Sequence, residues 1–183
     1  EYVRVERWAD AYPLLDMLVK RSGKRDQNEQ HRLSFMLGDV ALRLAQHEAA
    51  IKALSKAYQI DQQHLPTLLK LAEAHYAAGE YWDAYETFSE MQSPNIAEPW
   101  KAHFNTGTAA YREDLLFLAE VNLDKSLRLV PEEHRCDVQT NRSLVLEAQG
   151  DALVASAEAE YEWAVAQREA EIARLLGEPY DAT

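Results

Sequence analysis

Apolar side chains recur along this chain at helical spacing, and the spacing itself recurs. In residues 33–45 they fall at Leu33, Leu37, Val40, Ala41 and Leu44, an i, i+4, i+7, i+8, i+11 stripe on one helical face. In residues 48–58 they fall at Ala50, Ile51, Leu54, Ala57 and Tyr58, again on one face. No stretch alternates with period two for long enough to predict a strand, and the β-branched residues are scattered singly. The pattern then returns. Ala50, Ala84 and Ala119 stand in phase, separated by 34 and 35 residues, and so do Leu54, Phe88 and Leu123, and Gly38, Ala72 and Gly107. A period near 34 with small residues held in phase predicts stacked helical hairpins. Such an array offers partners an extended surface rather than enclosing a pocket for chemistry.

The phase of the small residues has a physical reason. Two antiparallel helices joined by a short turn approach to about 8–10 Å. Ala50, Ala84 and Ala119 permit that approach, and Leu54, Phe88 and Leu123 then fill the space between units. Gly38 and Gly107 lie inside stripes, where glycine costs about 1 kcal/mol against alanine. Close contact with the partner helix is the expected compensation. Gly79 and Gly150 stand where the first helix of a pair should end, as left-handed caps. Gly23 and Gly177 are expected to end longer stripes in the same way. With all six glycines assigned to structure, none remains for a phosphate-binding loop. Pro66 suits the first turn of a helix. Pro94, Pro99 and Pro131 fall between pairs, and Pro179 follows Gly177 as a stop. Pro13 lies within a helical pattern and should kink it or mark a late start.

Composition narrows the function. The 183 residues are 47% hydrophobic, in the globular range, and no run of about 18 apolar residues predicts a membrane span. The net charge of −12 is uneven: residues 1–30 balance to zero, residues 31–135 carry −5 and residues 136–183 carry −7. Nucleic acid and acidic membrane surfaces both need a basic face, which argues against either as the main ligand. Cys136 is the only cysteine, so no disulfide forms within the chain, which fits a reducing, cytoplasmic setting. The chain begins at Glu1 in what reads as mid-element sequence, without a start Met or a signal-peptide pattern, and so reads as a segment of a longer protein.

The in-phase residues resemble the tetratricopeptide repeat family. Residues 31–64 show Leu37-Gly38, Ala50, Leu54, Ala57 and Asp61. Residues 65–98 show Leu71-Ala72, Ala74, Tyr76, Gly79, Tyr81, Ala84 and Phe88. Residues 99–133 show Asn105, Gly107, Ala109, Tyr111, Ala119, Leu123, Leu129 and Pro131, departing at Asp114, where the family usually has Gly. Residues 134–183 read as a degenerate repeat, with Asn141, Ser143, Gly150-Asp151, Ala157, Tyr161 and Ala164, whose second helix runs long as a cap to about Leu176. Residues 1–30 read as a partial N-terminal unit, with Trp8, Ala11, Leu15 and Leu18, and a polar linker. The resemblance implies one repeat domain over residues 1–183, an all-α right-handed superhelical solenoid of antiparallel helix pairs.

In this family the first helices of the pairs line a concave groove that binds peptides. Carried over position by position, the resemblance implies one row of Phe35, Leu69 and Phe104 and a second of Leu42, Tyr76 and Tyr111. Asp39, Glu73 and Thr108 lie between the rows, Arg43 and Arg112 flank the second, and Lys101, Asn105 and Asn141 complete the lining. The members of each pair of rows are seven residues apart, two turns on one face. Two readings compete. The aromatics either belong to the fold or form an apolar groove for an amphipathic helix or extended segment, with polar groups fixing register. The family's clamp for a terminal carboxylate is disfavoured, because Asp39 and Glu73 would repel one. The expected partner is a protein or peptide, apolar, with neutral or basic character.

No catalytic, metal or cofactor site is expected. The six histidines are spread over the units without the i, i+4 spacing of a metal-binding helix, and no ordered nucleophile motif occurs. The glutamates of residues 158–162 and 169–171 read as a solvated face of the last helix. Two other functions are open to the sequence. The array could be a spacer or self-association module of a larger protein, using Trp8, Trp163 and its end faces. It could also recruit substrate for a catalytic domain elsewhere in that protein.

Overall fold

The computed structural model describes residues 2–24, 26–93 and 97–177, with side chains placed from Arg7 onward except at Lys24. Within them the chain forms α-helices and no strand: α1 (Tyr2–Arg21), α2 (Gln27–Arg43), α3 (His47–Ile60), α4 (Leu65–Ala78), α5 (Tyr81–Glu90), α6 (Pro99–Arg112), α7 (Leu116–Leu129) and α8 (Arg135–Leu176). Short 3-10 turns span Ser22–Lys24 and Glu132–His134. Two compact units divide the chain, Glu1–Arg142 and Ser143–Thr183.

In the first unit each helix packs on the next, α1 on α2 through to α6 on α7, and α2 also touches α4. The core is correspondingly segmented. Leu15 and Val19 of α1 meet Leu33, Leu37 and Val40 of α2. Ala41 of α2 joins Ala50 and Leu54 of α3 and Leu71 and Ala74 of α4. Leu68 and Ala72 of α4 join Ala84 and Phe88 of α5 and Ala102 and Ala109 of α6. Helices of one pair are thus buried against the next pair, as expected where no central core exists.

The in-phase positions carry this packing. Ala50, Ala84, Ala119, Leu54 and Leu123 are fully buried, and Phe88 nearly so. A Cβ added at Gly38 would run into the side chain of Leu54, and one at Gly107 would lie 2.8 Å from Cγ of Leu123. Both are closer than a real Cβ tolerates, so the glycines admit the large residue of the partner helix. A polar cluster ties the third pair together. Gln92 donates to Thr106 Oγ1 (3.0 Å) and Asn122 Oδ1 (2.8 Å), and Ser126 Oγ donates to the Trp100 carbonyl (2.9 Å).

The hairpin turns repeat in backbone detail. Ala45, Gly79 and Asp114 stand at successive equivalent positions, and all three have positive φ, at 55°, 84° and 60°. Each is followed by the same long backbone bond: Gln46 N–H to the Ala41 carbonyl (2.9 Å), Glu80 N–H to His75 (3.0 Å) and Leu115 N–H to Ala110 (2.9 Å). This is the Schellman closure of a helix C-terminus, which needs a left-handed residue whether or not glycine supplies it. Helix starts are equally local. The Asp26 carboxylate accepts from Asn28 N–H (3.1 Å) ahead of α2. His64 Nδ1 accepts from Thr67 N–H (3.2 Å) at the head of α4, with Pro66 in its first turn.

Several expectations are corrected. Gly150 does not end a helix: it lies inside α8, which runs unbroken for 42 residues. Alanines at 148, 152 and 155 are the strongest helix formers, and one interior glycine costs only about 1 kcal/mol against them. Gly23 sits in a 3-10 turn and is not left-handed, whereas Gly177 is, with φ 71°. Pro13 lies within α1, which continues through it, and Pro99 is the first residue of α6 rather than part of a connection. Pro94 and Pro179 fall outside the described residues. In the second unit, the helix from Ser143 leaves Leu153, Val154, Tyr161, Trp163, Leu175 and Leu176 exposed.

Candidate peptide-binding groove

The first helices of the pairs, α2, α4 and α6, carry the expected rows. Phe35, Leu42, Leu69, Tyr76, Phe104 and Tyr111 are all half-buried. Phe35 and Leu42 pack on the core segment between α2, α3 and α4, and Leu69 and Tyr76 on the next segment. Their bodies therefore contribute to folding while one edge meets solvent.

Four expected residues converge. Glu73 and Tyr76 of α4 and Asn105 and Thr108 of α6 line one concave pocket of about 250 Å³, together with the buried Phe88 of α5. Asn141, early in α8, donates from Nδ2 to Thr108 Oγ1 (3.0 Å), and that hydroxyl donates to the Phe104 carbonyl (2.8 Å). Thr108 is thereby fixed by two partners. The Asn105 amide has no hydrogen-bond partner among the described residues and is half-buried at the pocket wall. Burial raises the pKa of Tyr76, with Tyr81 adding to the rise and the Arg112 cation opposing it. The phenol stays neutral at physiological pH and offers both a donor and an acceptor.

Each charged residue of the face has a partner. Arg43 Nε donates to Asp39 Oδ2 (2.9 Å), and its guanidinium lies 5.0 Å from the centre of the Trp8 ring. Lys70 donates to Glu73 Oε2 (2.7 Å) and sits 3.9 Å from Asp39 Oδ1, linking α4 to α2. Arg112 donates to the Tyr81 hydroxyl (2.5 Å) and covers that ring, whose edge meets Tyr76 at 5.3 Å between centres. Lys101 stands apart from this set, held by Glu98 (2.6 Å) at the start of its own helix and lying over Trp100. Phe35 is drawn to His31 and His64, whose rings it meets at 6.4 and 5.5 Å.

Lys70 and Tyr81 do not belong to the expected groove set. The i, i+3 spacing of Lys70 to Glu73 could have revealed the first. Tyr81 comes from α5, outside the rows, and no spacing rule reaches it. Among the described residues, His75, Glu80 and Asp83 bring one possible metal-ligand atom each within 4.8 Å of one another, and His75 Nδ1 is hydrogen-bonded to Glu80 (2.7 Å). No helix of the described residues is long and apolar enough to cross a membrane.

Comparison with known proteins agrees with this architecture. Residues 41–95 match the family model for the tetratricopeptide repeat. No curated protein sequence matches the chain. Among solved structures, a MamA RS-1 ArsTM double mutant is similar at a TM-score of 0.51 and 13% identity, over 76% of this chain and 97% of that one. BtubC (BKLC) from P. vanneervenii is similar at a TM-score of 0.57 and 17% identity, over 97% of this chain and 77% of that one. Likeness at such identities is likeness of fold. Tetratricopeptide repeats are protein–protein interaction modules and typically non-catalytic scaffolds. With hairpins closing alike at Ala45, Gly79 and Asp114, the described residues form an all-α, tetratricopeptide-like fold, and residues 41–95 match the model of the family's repeat.

Proposed function

We propose that the chain binds a short segment of a partner protein along α2, α4 and α6, centred on the pocket between Tyr76 and Asn105. The observation that carries this reading is the convergence of Glu73, Tyr76, Asn105 and Thr108 from two helices on one concavity. A half-buried amide without an internal partner suits a peptide main chain, which offers a donor and an acceptor at every residue. Phe35, Leu42, Leu69, Phe104 and Tyr111 extend the contact as apolar edges, and Asn141 acts through Thr108. Apolar burial supplies affinity, at about 25 cal/mol per Å² before the costs of association.

The pairing of Asp39 with Arg43 and of Glu73 with Lys70 neutralises much of the field at the face. It favours an apolar partner with neutral polar groups. A basic group entering the pocket would compete with Lys70 for Glu73, and Lys101 and Arg112 add selectivity at the margins.

Selection of peptides of about 15 residues from a displayed random library tests this reading, with affinities of the selected sequences measured by calorimetry. Tyr76→Ala and Asn105→Ala should each weaken binding about tenfold or more, with the melting temperature little changed for Asn105→Ala. Selected peptides whose affinity is indifferent to both substitutions would contradict it.

A further inference from the structure

A second apolar surface shares no residue with the groove. A cleft of about 480 Å³ opens on α1, α2 and α3, with Tyr12, Val19 and Leu37 among its lining and Lys20, Lys52 and Lys56 around it. Lys20 is held by Asp16 of the same helix (2.6 Å). Lys52 and Lys56 have no carboxylate partner among the described residues. The cleft is therefore locally positive in a chain of net charge −12.

The second unit carries the opposite pattern. Val154, Ala157 and Tyr161 form a shallow depression on α8 with Glu158 and Glu162. Tyr161 is 71% exposed and Val154 58%, and the two glutamates have no cationic partner among the described residues. Residues 143–183 hold nine acidic and two basic side chains. An exposed apolar surface with unpaired acids is a standing invitation to a partner with the converse chemistry.

We infer that these are the two halves of one head-to-tail contact between copies of this chain. Tyr161 and Val154 of one copy enter the α1–α3 cleft of the next, with Glu158 and Glu162 opposite Lys52 and Lys56. Both charged pairs are spaced i, i+4 on their helices, about 6 Å apart, so two ion pairs form in one register. Charge sign, spacing and apolar content agree on both sides, and this favours a second copy over an unrelated partner. The contact joins two different surfaces, so copies add end to end, into a ring or an open filament.

Sedimentation velocity of the whole chain across a concentration series tests the inference. Concentration-dependent association is expected at 50 mM salt and should weaken about tenfold or more at 500 mM. The charge reversals K52E/K56E and E158K/E162K should each leave monomers, and mixing the two variants should restore association, because the mixture contains both the original and the reversed pairing. The neutral variants K52Q/K56Q and E158Q/E162Q should weaken association without reversing charge, which covers the case of a reversal that unfolds. The inference is overturned if the wild type stays monomeric at low salt, if association is unchanged in the variants, or if folded reversal variants fail to associate when mixed.

Discussion

Asp114 holds the backbone angle that Gly79 holds one repeat earlier, φ 60° against 84°, and the residue after each makes the same long bond back into its helix. Ala45 holds it one repeat before that, at 55°. The turn geometry is thus dictated by hairpin closure, and the residue type follows only where it can. A non-glycine residue in the left-handed region is strained by about 1 kcal/mol, somewhat less for Asp.

Ala45→Gly and Asp114→Gly should therefore stabilise the array, by about 1 kcal/mol for the alanine and less for the aspartate. Gly79→Ala should destabilise it by a similar amount. Chemical denaturation of the three variants checks this. A stabilising Gly79→Ala would show that the turns are not closed by a left-handed residue.

The interior glycines predict opposite outcomes for one substitution. Gly107→Ala places a methyl 2.8 Å from Leu123 Cγ and 3.1 Å from the Ala119 carbonyl oxygen, and should cost about 1–3 kcal/mol. Gly150→Ala places a methyl where nothing lies within 4 Å, inside α8, and should stabilise by about 1 kcal/mol. Thermal melts of the two variants should move in opposite directions. A common direction would contradict either the close helix approach at Gly107 or the continuity of α8 at Gly150.

The joint between α2 and α4 should make stability depend on pH. His31 Nε2 and His64 Nδ1 lie 3.1 and 2.7 Å from the same Thr67 hydroxyl, and the two rings are 4.6 Å apart. Burial holds the pKa of His31 below its ordinary 6.5, the His64 ring adds to the effect, and Asp61 opposes it. Burial lowers His103 as well, with Asn122 opposing the effect and the Lys125 cation adding to it. Below about pH 6.5 the unfolded chain then binds more protons than the folded one, so this stability is full above that value and is lost as pH falls from it through the lowered pKa of the folded state. The melting temperature should drop between pH 7.5 and 5.5, and His31→Gln should reduce the drop. A profile unchanged by His31→Gln and by His103→Gln would contradict the assignment.

Much of α2 to α7 was legible because burial in a solenoid repeats with the sequence. Leu37, Leu54 and Ala84 are buried as their spacing predicts, since each lies on a stripe that packs on adjoining helices. Gly150 misled because Gly-Asp ends a helix only where the following residues favour leaving it, and here alanine recurs at 152, 155, 157 and 159. The candidate site was half legible. The rows on α4 and α6 follow from seven-residue spacing, but the pairing of Asp39 with Lys70 joins two helices 31 residues apart in sequence, and no local rule states it. The cap by His64 was equally hidden, because a ring nitrogen in place of a carboxylate or hydroxyl is not the usual helix start.

Hydrogen–deuterium exchange with and without a selected peptide tests the proposed binding face most directly. Protection should concentrate on the exchanging amides of Leu69–Tyr76 in α4 and Phe104–Tyr111 in α6, extend to α2, and leave α3 and α5 unchanged, and Asn105→Ala should abolish it at the same peptide concentration. Protection confined to α3, α5 or α7, with α4 and α6 unaltered, would contradict it.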